Sequence, residues 1–101
     1  MRTIRWASQF KADFKRELKS TYAKTIDADL RTALELLVND EPLPKRYCDH
    51  PLGGDWKGSR DIHIHPDLVL IYAKPLDKAK GNKDLMILRL ERIGSHAQLK
   101  L

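Results

Sequence analysis

The chain has 101 residues, enough for one domain that buries a core without disulfides or metal. Apolar residues make up 42% and charged residues 33%, which excludes a disordered chain, and no stretch approaches membrane-spanning length. Nineteen Lys and Arg against 14 Asp and Glu leave a net charge of +5 and a pI near 9.5, so polyanions such as nucleic acid are a candidate partner class.

The first residues, Met1 to Ser8, lack the apolar run of a signal peptide, and Arg2–Trp6 alternates as a short strand with Ile4 and Trp6 on one face. Ser8 is a candidate N-cap for a helix in which Phe10, Phe14 and Leu18 recur at four-residue spacing, with Lys11, Lys15, Arg16 and Lys19 opposite. Ser20-Thr21 breaks the pattern. A second helix follows, with Ile26, Leu30, Ala33, Leu34, Leu37 and Val38 as its apolar stripe, and Pro42 and Pro44 end it. Residues Glu41–Gly58 read as a long loop with three prolines and three glycines, a length that more often serves function than accident. Cys48, within it, is the only cysteine, so no intramolecular disulfide can form. With the N-terminus, this points to a cytoplasmic protein.

Arg60–Leu68 alternates strictly, so Ile62 and Ile64 should face a core while Asp61, His63 and His65 face out together. Pro66 closes that strand and Asp67 follows. Leu68–Ala73 is apolar throughout, as a central strand buried on both faces is. Pro75–Asp84 reads as a lysine-rich turn, Leu85–Ile93 as a last alternating strand, and Gly94–Leu99 as a tail. The order is β-α-α-β-β-β, and residues 1–101 show no repeat or domain boundary. The fold class is α+β: two N-terminal helices on one face of a small antiparallel sheet, with the other face partly open.

All four histidines fall at or after position 50: His50, His63, His65 and His96. Imidazoles can take a proton from an RNA 2′-hydroxyl and return one to the leaving 5′-oxygen near neutral pH. Lys57, Arg60, Arg89 and Arg92 lie near them in sequence and would stabilise phosphoryl charge. Two other readings stay open. The histidine strand is equally two solvated positions on an outer face, or, with His63, His65 and Asp67, the ligands of a metal-dependent hydrolase. Trp56 reads as an anchor for the loop, or as a stacking surface for a base. A non-catalytic RNA- or protein-binding module is a third class.

A composite pattern narrows these readings. It runs Asp49-His50-Pro51-Leu52, Gly54-x-Trp56-Lys57-Gly58-x-Arg60-Asp61-x-His63-x-x-Pro66-Asp67 and Leu70-Ile71-Tyr72, and closes on Leu88-Arg89-Leu90-Glu91-Arg92-Ile93-Gly94-Ser95-His96. The pattern resembles the YafQ toxins of the RelE superfamily, whose fold is microbial ribonuclease-like. The resemblance implies a type II toxin: a ribosome-dependent endoribonuclease (mRNA interferase) that cuts mRNA in the A site by 2′-hydroxyl attack, with no metal or other cofactor. It also implies a cognate antitoxin, the ribosome and mRNA as partners, no membrane, and operator binding by the toxin–antitoxin complex through the antitoxin. The family's catalytic positions fall on His50, His63, Asp67 and His96, and its RNA-binding positions on Lys57, Arg60, Arg89 and Arg92. His65 has no counterpart. Leu68 and Lys100-Leu101 stand where the family often carries aromatics.

Overall fold

In a computed structural model, residues 2–74, 76–79 and 83–101 are described, with backbone alone at 76–79 and 83–85. In chain order the elements are β1 (Thr3–Trp6), α1 (Ser8–Glu17), α2 (Ile26–Val38), β2 (His50–Pro51), β3 (Arg60–His65), β4 (Leu68–Ala73), β5 (Leu76–Ala79), β6 (Lys83–Gly94) and α3 (His96–Leu99). Short 3-10 turns at Lys45–Tyr47 and Gly54–Trp56 punctuate the long loop. The main sheet runs β1-β6-β4-β3-β2, and β5 pairs with β6. Every pairing among the described residues is antiparallel except β1 with β6, which is parallel and joined by a long crossover.

Burial follows the apolar pattern. All six residues of the α2 stripe are buried, and they meet Phe10 of α1 and Ile62, Leu68, Leu70, Tyr72, Leu88, Leu90 and Ile93 of the sheet. Asp27 and Asp29 in the first turn of α2 suit the positive end of its dipole. Every residue of β4 is buried, since helices cover one face and a smaller cluster covers the other. In that second cluster Val69, Ile71 and Leu99 are buried, with Leu52 and Trp56 packed against them. Trp56 therefore does anchor its loop on the sheet.

Several expectations need adjusting. Ser8 is the first residue of α1, and Ala7 takes the N-cap position without a side-chain bond. Leu18 is exposed. Two short elements escaped the reading: β2 inside the long loop, and α3 where a tail was expected. Of the expected turn at 75–84, Leu76–Ala79 pairs with Lys83–Met86 as a hairpin, while 75 and 80–82 lie outside the described residues.

The α1 helix also completes the sheet. The β1 strand accompanies β6 only from Ile87 to Leu90, so the edge groups of Ile93 need other partners. Its N–H donates to Asp13 Oδ2 at 3.2 Å, and its carbonyl accepts from Arg16 Nη2 at 3.1 Å. Two side chains thus stand in for the missing strand.

Candidate active site

The open face of the sheet gathers four of the expected residues. The β2 strand is only two residues long, yet its register places His50 directly opposite Asp61 of β3. His63, two residues on, shares the face of Asp61 and lies opposite Val69. Asp67 sits in the β3–β4 turn, and His96 opens α3 just past the end of β6. The rings of His63 and His96 meet edge to face, with centroids 5.0 Å apart. Histidines separated by 46 positions in sequence are thus brought to one end of one sheet.

His96 is held twice. Ser95 caps α3 with its side chain while Gln98 returns the bond to the Ser95 N–H, a complete capping box. The His96 backbone N–H donates to Asp67 Oδ1 at 3.1 Å, and its Nδ1 lies 2.8 Å from the same oxygen. The side-chain hydrogen bond from His96, then the backbone one, hold the Asp67 carboxyl below the usual carboxylate range. With Nδ1 engaged, the neutral ring presents Nε2 outward.

His50 is held by its loop. Cys48, in the left-handed region at φ 49°, turns the chain so that Asp49 and His50 diverge. Asp49 accepts from Tyr72 Oη at 2.6 Å and from both Nε and Nη2 of Arg60, at 3.1 and 3.2 Å. Burial, followed by the Asp49 carboxylate, pushes the Tyr72 hydroxyl well above its ordinary pKa, so it stays protonated and donates to Asp49.

Asp61 was not among the expected site residues. It is 2% exposed, and His50 Nδ1 comes within 2.6 Å of its Oδ1. The approach is too oblique for a hydrogen bond, and that oxygen has no hydrogen-bond donor among the described residues. Burial raises its pKa, while the nearby histidines 50, 63 and 96 act in the opposite direction. Its place in the alternation beside His63 was visible; its burial required β2, which covers it.

The remaining candidates separate. The register slips between His63 and His65, so His65 pairs with Leu68 and turns to the helix side. There it stacks on Tyr22, with ring centroids 4.9 Å apart, and its Nε2 lies 2.7 Å from Asp29 Oδ2 of α2. The expectation that His63 and His65 face out together is therefore corrected by a bulge. No three His, Cys, Asp or Glu side chains group as a metal site among the described residues, and His63, His65 and Asp67 do not form one. Arg92 grips buried Asp13 through two bonds of 2.7 and 2.9 Å. Arg89 is exposed and pairs with Glu91. Lys57 is exposed and has no carboxylate partner among the described residues.

Known proteins resemble the chain over nearly its whole length. Over 99 residues the chain is 42% identical to the mRNA interferase toxin YafQ of Escherichia coli K12, covering 97% of this chain and 95% of that protein. The crystal structure of the E. coli DinJ–YafQ complex superposes with a TM-score of 0.75 at 39% identity, covering 98% of each chain. A metal-bound toxin from Helicobacter pylori superposes at 0.77 with 33% identity, covering 98% of this chain and 99% of that one. The family model described as bacterial toxin of type II toxin–antitoxin system, YafQ, matches residues 2–101, and the chain belongs to that family.

Proposed function

We propose that this toxin is an endoribonuclease that cuts mRNA in the ribosomal A site by metal-independent acid–base catalysis. The observation that carries the reading is the convergence of His50, His63 and His96 on one open sheet face, with Asp61 beside His50 and Asp67 beside His96. The E. coli relative's description as an mRNA interferase supports the same class of activity.

In the reaction, the 2′-oxygen attacks the adjacent phosphorus as its proton passes to an imidazole. The P–O5′ bond breaks, and a second imidazole protonates the departing 5′-oxygen. His96, oriented by Asp67, is the general acid. His50 takes the 2′-proton, and His63 between them orients the phosphate. Lys57 and Arg89, both exposed, steady the phosphoryl oxygens and ribosomal RNA. Arg60 and Arg92 are committed to Asp49 and Asp13, and serve to hold the loop and α1 in place. The E. coli relative is crystallised with DinJ, and by analogy an antitoxin binds and restrains this chain.

The test is induction of the toxin in a bacterium lacking its antitoxin, with 5′ ends of cleaved messages mapped against reading frame. Growth arrest with in-frame cuts is expected, and upstream fragments should end in a 2′,3′-cyclic phosphate or its hydrolysis product. Cleavage abolished by chelator and restored by one divalent metal would overturn the metal-independent mechanism. Harmless induction would favour the binding-module alternative.

A further inference from the structure

Asp61 is a carboxylate held under the site with one oxygen unpartnered, a feature that native folds rarely keep without a use. Its position on β3 is flanked on the same face by Ile71, directly across the strand pair, where an apolar side chain would pack at no desolvation penalty. What lies beside the orphan oxygen is His50 Nδ1, at 2.6 Å. The same nitrogen lies 3.1 Å from the Cys48 carbonyl oxygen. The Cys48 carbonyl is an acceptor only, and the Asp61 carboxyl is one when ionised, so Nδ1 carries the proton of the neutral ring. Nε2 is then bare, on a side chain that is half exposed.

We propose that Asp61 is the positioning residue of this site: its buried carboxylate holds His50 in the tautomer with Nδ1 protonated, leaving Nε2 free to accept the 2′-hydroxyl proton. The inference rests on the cleavage reading above. As Nε2 takes that proton, the ring becomes cationic, and Asp61 compensates the charge from 2.6 Å without contacting RNA. A small rotation of the ring brings Nδ1–H onto the Oδ1 axis, so the unpartnered oxygen gains its donor when RNA is bound. His63 and His96 act on Asp61 in the same sense as His50, and Asp49 opposes them.

The decisive variant is Asp61→Asn, which keeps the shape but can present an N–H to Nδ1 and so favour the proton on Nε2. Ring-nitrogen NMR, at a pH where His50 is neutral, should show protonated Nδ1 in the wild type and a larger share of rings protonated at Nε2 in Asp61→Asn. Cleavage of ribosome-bound message should fall 10- to 100-fold in kcat, with affinity for a 2′-deoxy, uncleavable message unchanged within about twofold. In a His50→Ala background the same change should have no further effect, because Asp61 acts through His50. Protonated Nε2 in the wild type overturns the proposal, and so does undiminished cleavage by Asp61→Asn or a full additional loss in the His50→Ala background. If Asp61→Asn fails to fold, Asp61→Glu, which keeps the charge but moves it, replaces it: a loss of kcat at unchanged RNA affinity is expected, and undiminished kcat overturns the proposal. A wild-type chain that cuts no RNA defeats the proposed function, while the tautomer measurement stands independently.

Discussion

Alanine at His50, His63 or His96 should lower cleavage by roughly 10²-fold or more each, the usual size of a proton-transfer contribution. Combined changes should fall well short of the product of the singles, because on the proposed mechanism the three act in one transition state. His65→Ala should leave the rate near wild type and instead lower stability by about 1 kcal/mol through loss of the Tyr22 stack and the Asp29 contact, read by chemical denaturation. Loss of cleavage in His65→Ala with intact rate in His50→Ala would reverse the assignment. Tyr72→Phe tests the loop: removing one bond to Asp49 should cost about 1 kcal/mol and reduce kcat more than RNA affinity, since His50 is the next residue. At this scale much was legible. Alternation alone put His63 on the face opposite Ile62, and the family pattern singled out His50, Asp67 and His96. Asp61 and the turning of His65 were not, because both depend on pairing: one on a two-residue strand hidden in a loop, the other on a register slip that leaves no mark in composition.

Among the elements, α1 bears the most conspicuous charge. Asp13 is 1% exposed and accepts from Arg92, Arg16 and the Ile93 N–H, so the acid binds helix and last strand together. Burial works to raise the Asp13 pKa, but the Arg92 hydrogen bonds and the others together hold it below the ordinary value. A carboxyl with a lower pKa folded than unfolded adds stability above its unfolded pKa, and that stability is lost as pH falls through the folded value. Thermal melts should therefore weaken on acidification below about pH 4, and Asp13→Asn should flatten that dependence while losing about 3 kcal/mol at neutral pH. A variant melting like the wild type at every pH would remove Asp13 from this role. The α2 stripe was readable because six apolar residues repeat at helical spacing. The α1 clasp was not, since an acid on a basic, amphipathic helix reads as a solvated position until the strand it serves is known. Gly94 belongs to the same clasp: a Cβ there would sit 2.8 Å from Arg16 Nη2 and 2.9 Å from Gln98 Oε1. Gly94→Ala should disturb the cap of α3, and with it the aim of His96, lowering kcat without a comparable change in melting temperature.

For the molecule as a whole, the strand order decides when the parts can come together. The β6 strand lies between β1 and β4, so the first strand made has no neighbour until the last one is available. The β4, β3 and β2 strands can pair among themselves earlier, but His96 follows β6 and completes the histidine group. A chain emerging from the ribosome in N-to-C order therefore carries a core without a closed sheet for most of its synthesis. The consequence concerns timing. On the proposed mechanism, a copy that lacks β6 also lacks His96, so closing the sheet and completing the histidine group are one event.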